Sequence, residues 1–235
     1  MDRNYLSAYI KTVGATSDKI SEALATARNI CKDIDFRLTE KYGECSIELL
    51  YSPDMPKSTF DGVMRAILSI LNDYVYALED ITLAERFVQL LKLRKITISV
   101  AESFTGGGVS KKLVEVPGVS EVFYEGLNTY SNQAKIERLG VKKQTIQQFG
   151  AVSEQTAAEM AEGLILSGNC DVSISTTGIA GPKSDNTNKP VGLFYIGIAT
   201  KDGVQVYKYN LNGSRQSITE TAINFALFLA FKRIK

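Results

Sequence analysis

A serine in this chain lies where an apolar run meets a glycine-rich stretch. Ser103 follows the apolar run 96–101, and Thr105, Gly106 and Gly107 come shortly after it. This order predicts a strand, a turn and a helix, with the serine hydroxyl at the corner beside backbone N–H groups that can hold an anion. Ser103 is therefore either a nucleophile or the residue whose side chain caps the helix.

The chain contains no histidine, which limits the bases that could act on this serine. A Ser-His-Asp triad is excluded, and lysine, tyrosine or a carboxylate remains. Tyr130 ends a predicted extended segment, 122–130, and Lys135 follows about one helical turn later, so both side chains can face one pocket. A buried lysine loses its proton more readily because burial disfavours the ammonium ion. The alternative is a solvent-exposed lysine in a short helix.

A second glycine-rich turn follows another predicted strand. Residues 178–182 (GIAGP) come directly after the strand 171–177 and form either a plain turn or a loop that binds phosphate or an oxyanion. The chain lacks the Walker phosphate-loop spacing, the GxSxG elbow and the SxxK pair of other enzymes. Residues 185–188 (DNTN) lack the glycine and terminal glutamate of a calcium-binding loop, so we expect no metal site.

The composition favours a globular protein without a strongly charged partner. The formal net charge is +1, so no strong field attracts nucleic acid or an anionic membrane. No apolar run reaches the ~18 residues of a membrane span, and the N-terminus carries no signal-peptide pattern. The 3 cysteines are scattered and predict neither a disulfide framework nor a zinc site. We therefore expect a cytoplasmic protein.

The first predicted domain covers residues 1–80. Its pattern predicts a helix over 20–30 and a hairpin of strands 35–39 and 45–51. Ser58 is predicted to cap a second helix, in which apolar residues recur at helical spacing. The domain is thus a small α+β unit, and we find no catalytic constellation in it.

Residues 81–235 form the second predicted domain, in which helices and strands alternate. The predicted helices cover 83–93, 105–114, 154–166 and 214–231, and the predicted strands cover 96–101, 122–130, 171–177, 190–200 and 204–210. Alternation of this kind is typical of a layered α/β/α domain. The last two strands are joined by a tight turn and should pair antiparallel, so the sheet is predicted to be mixed.

Several short motifs in the second domain resemble those of the CinA family. In chain order they are AESFTGG (101–107), VPGVS (116–120), TYSNQAK (129–135), GAVSE (150–154), TGIAGP (177–182), KPVG (189–192) and GSR (213–215). The resemblance spans residues 81–235 and implies a nicotinamide-nucleotide amidohydrolase domain, which converts nicotinamide mononucleotide to nicotinate mononucleotide and ammonia. It also implies that Ser103, Tyr130 and Lys135 are the catalytic residues.

The resemblance suggests roles for both glycine-rich turns. Backbone N–H groups of Thr105, Gly106 and Gly107 would hold the oxyanion at the helix N-terminus. The other candidates for contact with the oxyanion, the substrate and its phosphate are Thr177, Gly178, Gly181 and Arg215. The chemistry needs no metal and no organic cofactor. The expected partner is a small nucleotide, and we expect the chain to self-associate into a homo-oligomer.

Residues 1–80 resemble the KH-type linker domain that precedes the amidohydrolase domain in long CinA proteins. The resemblance lies in residues 6–20, 34–50 and 74–76. The region has no GxxG loop, so we expect no RNA binding. The chain thus resembles a long CinA protein without its first domain. That domain is the one associated with ADP-ribose pyrophosphatase activity, and we do not expect this activity here.

Three positions depart from the usual family pattern. Phe104 stands where a cysteine is usual, Lys183–Asn188 replaces a loop that is commonly rich in glycine, and Thr219 stands where many members have an arginine. The first change should leave Ser103 intact, whereas the other two bear on contacts to the substrate phosphate. The alternative function is therefore a non-catalytic module that binds or senses pyridine nucleotides on the same fold.

Overall fold

The described part of the chain forms two β-sheets, one in each of two compact units. The structure, a computed structural model, describes residues 5–182 and 188–235. The units are Met1–Leu83 and Ala84–Lys235. The second unit contains all the residues that the sequence predicts to do chemistry.

The described part of the first unit is a four-stranded antiparallel sheet with two α-helices. Its elements are, in chain order, β1 (Leu6–Val13), α1 (Ser17–Ile30), β2 (Asp35–Lys41), β3 (Glu44–Tyr51), α2 (Lys57–Leu71) and β4 (Val75–Ala77). The strand order β2-β3-β1-β4 is that of the split β-α-β arrangement of ferredoxin-like domains. The KH-type resemblance of this unit stays a prediction.

The predicted hairpin of the first unit is confirmed, since β2 and β3 pair antiparallel. Tyr42 and Gly43 join them with φ values of 53° and 73°, the left-handed pair that a tight two-residue turn requires. The prediction that Ser58 caps α2 is wrong. The helix begins at Lys57, and its N-cap residue Pro56 makes no side-chain hydrogen bond. The fixed φ of proline sets the entry into the helix without a cap.

The described part of the second unit contains a five-stranded mixed sheet in the order β6-β5-β7-β8-β9. Its elements are, in chain order, α3 (Leu83–Arg94), β5 (Ile98–Glu102), α4 (Gly108–Val114), β6 (Phe123–Asn128), α5 (Asn132–Leu139), α6 (Lys143–Phe149), α7 (Glu154–Leu166), β7 (Val172–Gly178), β8 (Leu193–Thr200), β9 (Gly203–Asn210) and α8 (Arg215–Ile234). Strand β5 is parallel to β6 and β7, whereas β8 pairs antiparallel with β7 and β9. The predicted mixed sheet is confirmed.

Helices cover both faces of this sheet. A Cβ atom on Gly197 of β8 would lie 2.7 Å from the Ala157 carbonyl oxygen of α7. Phe194 of the same strand stacks on Tyr209, which contacts Phe225 of α8. Residues an odd number apart on a strand point to opposite faces. Helices α7 and α8 therefore lie on opposite sides of the sheet, as the predicted α/β/α layering requires.

The glycine-rich turn after Ser103 is longer than predicted. Helix α4 begins at Gly108 rather than at Thr105, because Gly106 and Gly107 have φ values of 62° and 97°. Such left-handed backbone is open mainly to glycine. The N-cap position belongs to Gly107. The alternative in which Ser103 caps this helix is therefore wrong.

Three other serines among the described residues cap helices: Ser131 caps α5, Ser153 caps α7, and Ser214 caps α8, the longest described helix. Ser153 Oγ accepts a hydrogen bond from the Thr156 N–H at the start of α7, and Ser214 Oγ accepts one from the Ser217 N–H at the start of α8. Such caps satisfy N–H groups that have no partner within the helix. In residues 5–182 and 188–235, no helix combines the length and apolar character needed to cross a membrane.

Candidate active site

The side chains of Ser103 and Lys135 meet in the second unit. Lys135 Nζ donates a hydrogen bond to Ser103 Oγ over 3.0 Å. The amine also donates to the backbone carbonyls of Thr129 at 2.8 Å and Tyr130 at 3.4 Å. Lys135 is only 1% exposed. The lysine is therefore a buried group aimed at a serine hydroxyl and is not the solvent-exposed lysine of the alternative reading.

Burial changes the acidity of this lysine. Removal from water lowers the pKa of Lys135 from its ordinary value of 10.5 to about 8, because an ammonium ion is less stable outside water than a neutral amine. In a considerable fraction of the protein molecules, the Lys135 amine is therefore neutral at mildly alkaline pH. A neutral amine beside a hydroxyl can act as a general base.

The ends of three strands bring these groups together. Ser103 follows β5, Thr129 follows β6, and Gly178 ends β7. These three strands are parallel, so their carboxyl ends share one edge of the sheet, where ligands bind in open α/β folds. Short helices then place the side chains, since α5 begins at the Ser131 cap, whose hydroxyl accepts from the Ala134 N–H.

A cavity of about 490 Å³ opens at this edge. Its described lining residues are Ser103, Phe104, Tyr130, Asn132, Lys135, Ile146, residues 150–152, residues 177–181 and Arg215. The predicted substrate-binding residues Thr177, Gly178, Gly181 and Arg215 thus line the same cavity as Ser103 and Lys135. Thr105, Gly106 and Gly107 are not among the lining residues.

The first glycine-rich turn, which contains Thr105, Gly106 and Gly107, binds the carboxylate of Glu102 and does not line the cavity. This carboxylate accepts hydrogen bonds from the N–H groups of Gly107, Val109 and Ser110 at 2.8–3.0 Å. It also accepts from the hydroxyls of Thr105 and Ser110 at 2.6 and 2.7 Å. The anion at the start of α4 is therefore supplied by the chain itself. The expected oxyanion role of the Gly107 N–H is wrong, because that donor is already engaged.

The contact that Tyr130 makes with Lys135 differs from the expected one. The described hydrogen bond runs to the Tyr130 backbone carbonyl, and Tyr130, which lines the cavity, is 69% exposed as a residue. No hydrogen bond between its hydroxyl and Ser103 or Lys135 is present among the described residues. A direct part for the phenol in proton transfer stays a prediction.

Arg215 places a positive charge at the cavity, on the first residue of α8. One guanidinium nitrogen, Nη1, donates to the Gly181 carbonyl at 2.9 Å. That bond fixes the arginine against the loop after β7. Arginine carries further N–H donors in a planar fork, which suits phosphate oxygens.

The loop before α7 forms another wall of the cavity, and Lys189 braces it. Lys189 Nζ donates to the carbonyls of Phe149 at 2.7 Å and Val152 at 2.6 Å. Thr177 Oγ1 donates to the Ala151 carbonyl at 2.7 Å. Sequence reasoning assigned no role to Lys189, although it lies within the KPVG motif. Its membership of that motif was the only signal.

The three family departures have different surroundings. Phe104 lines the cavity and stacks on Phe194, with ring centroids 5.1 Å apart and planes at 13°. Thr219 Oγ1 donates to the carbonyls of Arg215 and Gln216 within its own helix. In the Lys183–Asn188 segment, residues 183–187 lie outside the described residues. Of the departures within the described residues, Phe104 lines the candidate cavity.

The sequence matches known proteins along most of its length. A family model described as the CinA C-terminal domain matches residues 80–234. A competence-damage inducible protein of Caldicellulosiruptor saccharolyticus is 38% identical over 231 residues, which are 97% of this chain and 56% of the relative. A CinA-like protein of Kosmotoga olearia is 48% identical over 165 residues, or 70% of this chain and 40% of the relative. The chain therefore spans about half the length of these curated relatives.

Solved structures match about two thirds of the chain. The competence/damage inducible protein CihA from Agrobacterium tumefaciens has 35% sequence identity and a TM-score of 0.61, over 64% of this chain and 93% of that one. A CinA superfamily protein from Escherichia coli has 30% identity and a TM-score of 0.62, over 64% of this chain and 88% of that one. The family model, the relatives and these structures agree, and the chain belongs to the CinA family.

Proposed function

We propose that this chain is an amidohydrolase that converts nicotinamide mononucleotide and water to nicotinate mononucleotide and ammonia. The observation that carries the proposal is the 3.0 Å hydrogen bond between Lys135 Nζ and Ser103 Oγ at the wall of a cavity. Lys135 is buried, and Arg215 lines the same cavity. A serine, a base of lowered pKa and a cation suit an anionic carboxamide substrate.

Ser103 and Lys135 would carry the bond changes. Neutral Lys135 takes the hydroxyl proton as Ser103 Oγ attacks the carboxamide carbon. The resulting ammonium returns a proton to the amide nitrogen, the C–N bond breaks, and ammonia leaves an ester on Ser103. A water molecule then attacks the ester carbon, with Lys135 again taking and returning a proton, so that the carboxylate product leaves and the serine is restored.

The loop after β7 would stabilise the charge that develops on the carboxamide oxygen. The Gly107 N–H already binds Glu102, whereas residues 177–181 line the cavity beside Ser103. Loss of one oxyanion donor commonly costs about 2.7–4 kcal/mol of barrier. Arg215 would bind the substrate phosphate, since its guanidinium lies at the same cavity and is fixed by the Gly181 carbonyl.

The test is turnover by the purified chain. Nicotinamide mononucleotide is supplied, and both ammonia and nicotinate mononucleotide are quantified. Nicotinamide, which lacks the ribose phosphate, serves as a comparison substrate and should react far more slowly. Ser103→Ala should abolish turnover while the protein still binds the nucleotide, because the nucleophile is lost and the cavity is kept.

Two results would contradict the proposal. Activity of Ser103→Ala within a few-fold of the unmodified protein would show that another group attacks the amide. Tight binding of the nucleotide with no release of ammonia by the unmodified protein would favour the alternative, a module that binds or senses pyridine nucleotides without turnover.

A further inference from the structure

Glu102 makes hydrogen bonds both to the turn that follows Ser103 and to Thr129, whose carbonyl binds Lys135. The residue ends β5 directly before Ser103, and it is 1% exposed. Its carboxylate binds the turn and first residues of α4, and its backbone carbonyl accepts a hydrogen bond from the Thr129 N–H at 2.7 Å. Buried carboxylates are rare unless their oxygens are fully bonded. The hydrogen bonds of Glu102 involve residues next to Ser103 and residues that bind Lys135, the two groups that the proposed chemistry needs.

The carboxylate closes a loop around Ser103. Glu102 precedes the serine, and its carboxylate binds the Thr105 hydroxyl at 2.6 Å and the Gly107 N–H at 3.0 Å on the other side. The Ser103 N–H itself donates to the Thr176 carbonyl at 3.0 Å. The serine backbone is thus anchored before, at and after the residue. Such anchoring fixes where the hydroxyl can lie.

The backbone of Glu102 is also linked to Lys135 through Thr129. Thr129 donates its N–H to the Glu102 carbonyl, and its own carbonyl accepts a hydrogen bond from Lys135 Nζ at 2.8 Å. A displacement of Glu102 would therefore move the main acceptor of the lysine amine. Hydrogen bonds thus connect Glu102 both to the turn after Ser103 and, through Thr129, to the amine of Lys135.

We propose that Glu102 is a positioning residue, which holds Ser103 and Lys135 at reacting distance. The inference rests on the proposed function, in which Ser103 is the nucleophile. A role as general base does not fit, because both carboxylate oxygens accept backbone N–H groups of α4. These bonds would have to break before Glu102 could take a proton.

The test compares Glu102→Gln with Glu159→Gln. Glu159 is a matched control, since it accepts hydrogen bonds from the Lys142 N–H and the Thr145 hydroxyl at the start of α6. Two quantities are measured: kcat and KM for nicotinamide mononucleotide, and the rate at which a fluorophosphonate bonds to Ser103 with loss of fluoride. The second needs no substrate. Thermal unfolding of both variants shows how much stability each substitution removes.

The two variants should differ in chemistry more than in stability. Glu102→Gln should lower kcat and the labelling rate by about 10- to 100-fold with KM nearly unchanged, because a misplacement of ~1 Å can cost about 100-fold in rate. Glu159→Gln should unfold at a lower temperature with nearly unchanged kcat and labelling. An equal loss of labelling in both variants, or unchanged kcat and labelling in Glu102→Gln, would overturn the proposal.

A second variant covers the case in which Glu102→Gln does not fold. Ser110→Ala removes one hydrogen bond to the carboxylate, the 2.7 Å bond from the Ser110 hydroxyl, and should slow labelling several-fold. Unchanged labelling would overturn the proposal. An unmodified protein that labels at Ser103 but releases no ammonia would contradict the proposed substrate, and the labelling comparison would still decide the role of Glu102.

Discussion

Lys135 is a charged residue type in a place that disfavours charge. Burial lowers its pKa to about 8, while the carbonyls of Thr129 and Tyr130 accept hydrogen bonds from its amine. Carbonyl acceptors favour the ammonium form and burial favours the neutral amine, so both forms are accessible at mildly alkaline pH. A group that takes and returns a proton in one reaction cycle requires this balance.

Replacement of this lysine should remove both the activity and its pH dependence. Only the neutral amine can take a proton, so the rate should rise with pH through the pKa of about 8. Lys135→Met should lower kcat by at least about 100-fold, the usual effect of losing a general base, and abolish this rise in any residual activity. Lys111→Met, at a side chain that is 76% exposed, is the control. An unchanged pH profile in Lys135→Met would assign the base to another group.

The same pKa shift should appear in the stability of the fold. Between pH 8 and 10.5 the unfolded chain binds more protons at Lys135 than the folded chain does, so the unfolding free energy rises with pH in this window. Below pH 8, Lys135 is charged in the folded protein, and the loss of stability caused by burying its ammonium group is fully present. Denaturant unfolding should therefore show the native protein gaining stability relative to Lys135→Met as the pH rises through this window. A constant difference between the two would contradict the shift.

At the scale of elements, the packing of α5 on α7 holds the helix that carries Lys135. A Cβ atom on Gly163 of α7 would lie 2.0 Å from the Leu139 carbonyl oxygen at the end of α5. Gly163→Ala must therefore push the two helices apart and should lower the unfolding free energy by about 3 kcal/mol or more. Activity should fall as well, because α5 moves.

Another helical glycine supplies the control for this substitution. A Cβ atom on Gly62 of α2 would lie 3.5 Å from Ile30 Cγ2, an ordinary contact. Gly62→Ala should be neutral or stabilise the protein by up to about 1 kcal/mol, because alanine favours a helix more than glycine does. Thermal or denaturant unfolding measures both. If Gly163→Ala left the unfolding free energy unchanged, α5 would have to be able to move away from α7 without loss of stability.

Elements set by local patterns could be predicted, and contacts between distant elements could not. The helix over 154–166 follows from its own sequence pattern, as does the hairpin of β2 and β3. The expected oxyanion role of the Gly107 N–H failed because the anion that binds it is Glu102, folded back from the preceding strand. The only sequence signal was an acidic residue at the end of an apolar strand.

At the scale of the whole molecule, the alternation of helices and strands was enough to predict the layered class. It did not predict the order β6-β5-β7-β8-β9, because pairing between distant strands depends on packing across the whole sheet. That order matters, since it places β5 between β6 and β7 and so brings Ser103 next to Lys135 and the loop after Gly178. The residue types suggested the chemistry, and the strand order brings the residues of the candidate site together.

The division into two units predicts that the second can work alone. Every described residue that lines the candidate cavity lies within Ala84–Lys235. The solved Agrobacterium tumefaciens structure is matched over 93% of its length by 64% of this chain, so that relative matches without covering the whole of this chain. A fragment of residues 80–235 should therefore unfold in one transition and deamidate nicotinamide mononucleotide at a rate within a few-fold of the full chain. If this fragment is soluble and folded but inactive, residues 1–79 contribute to the site.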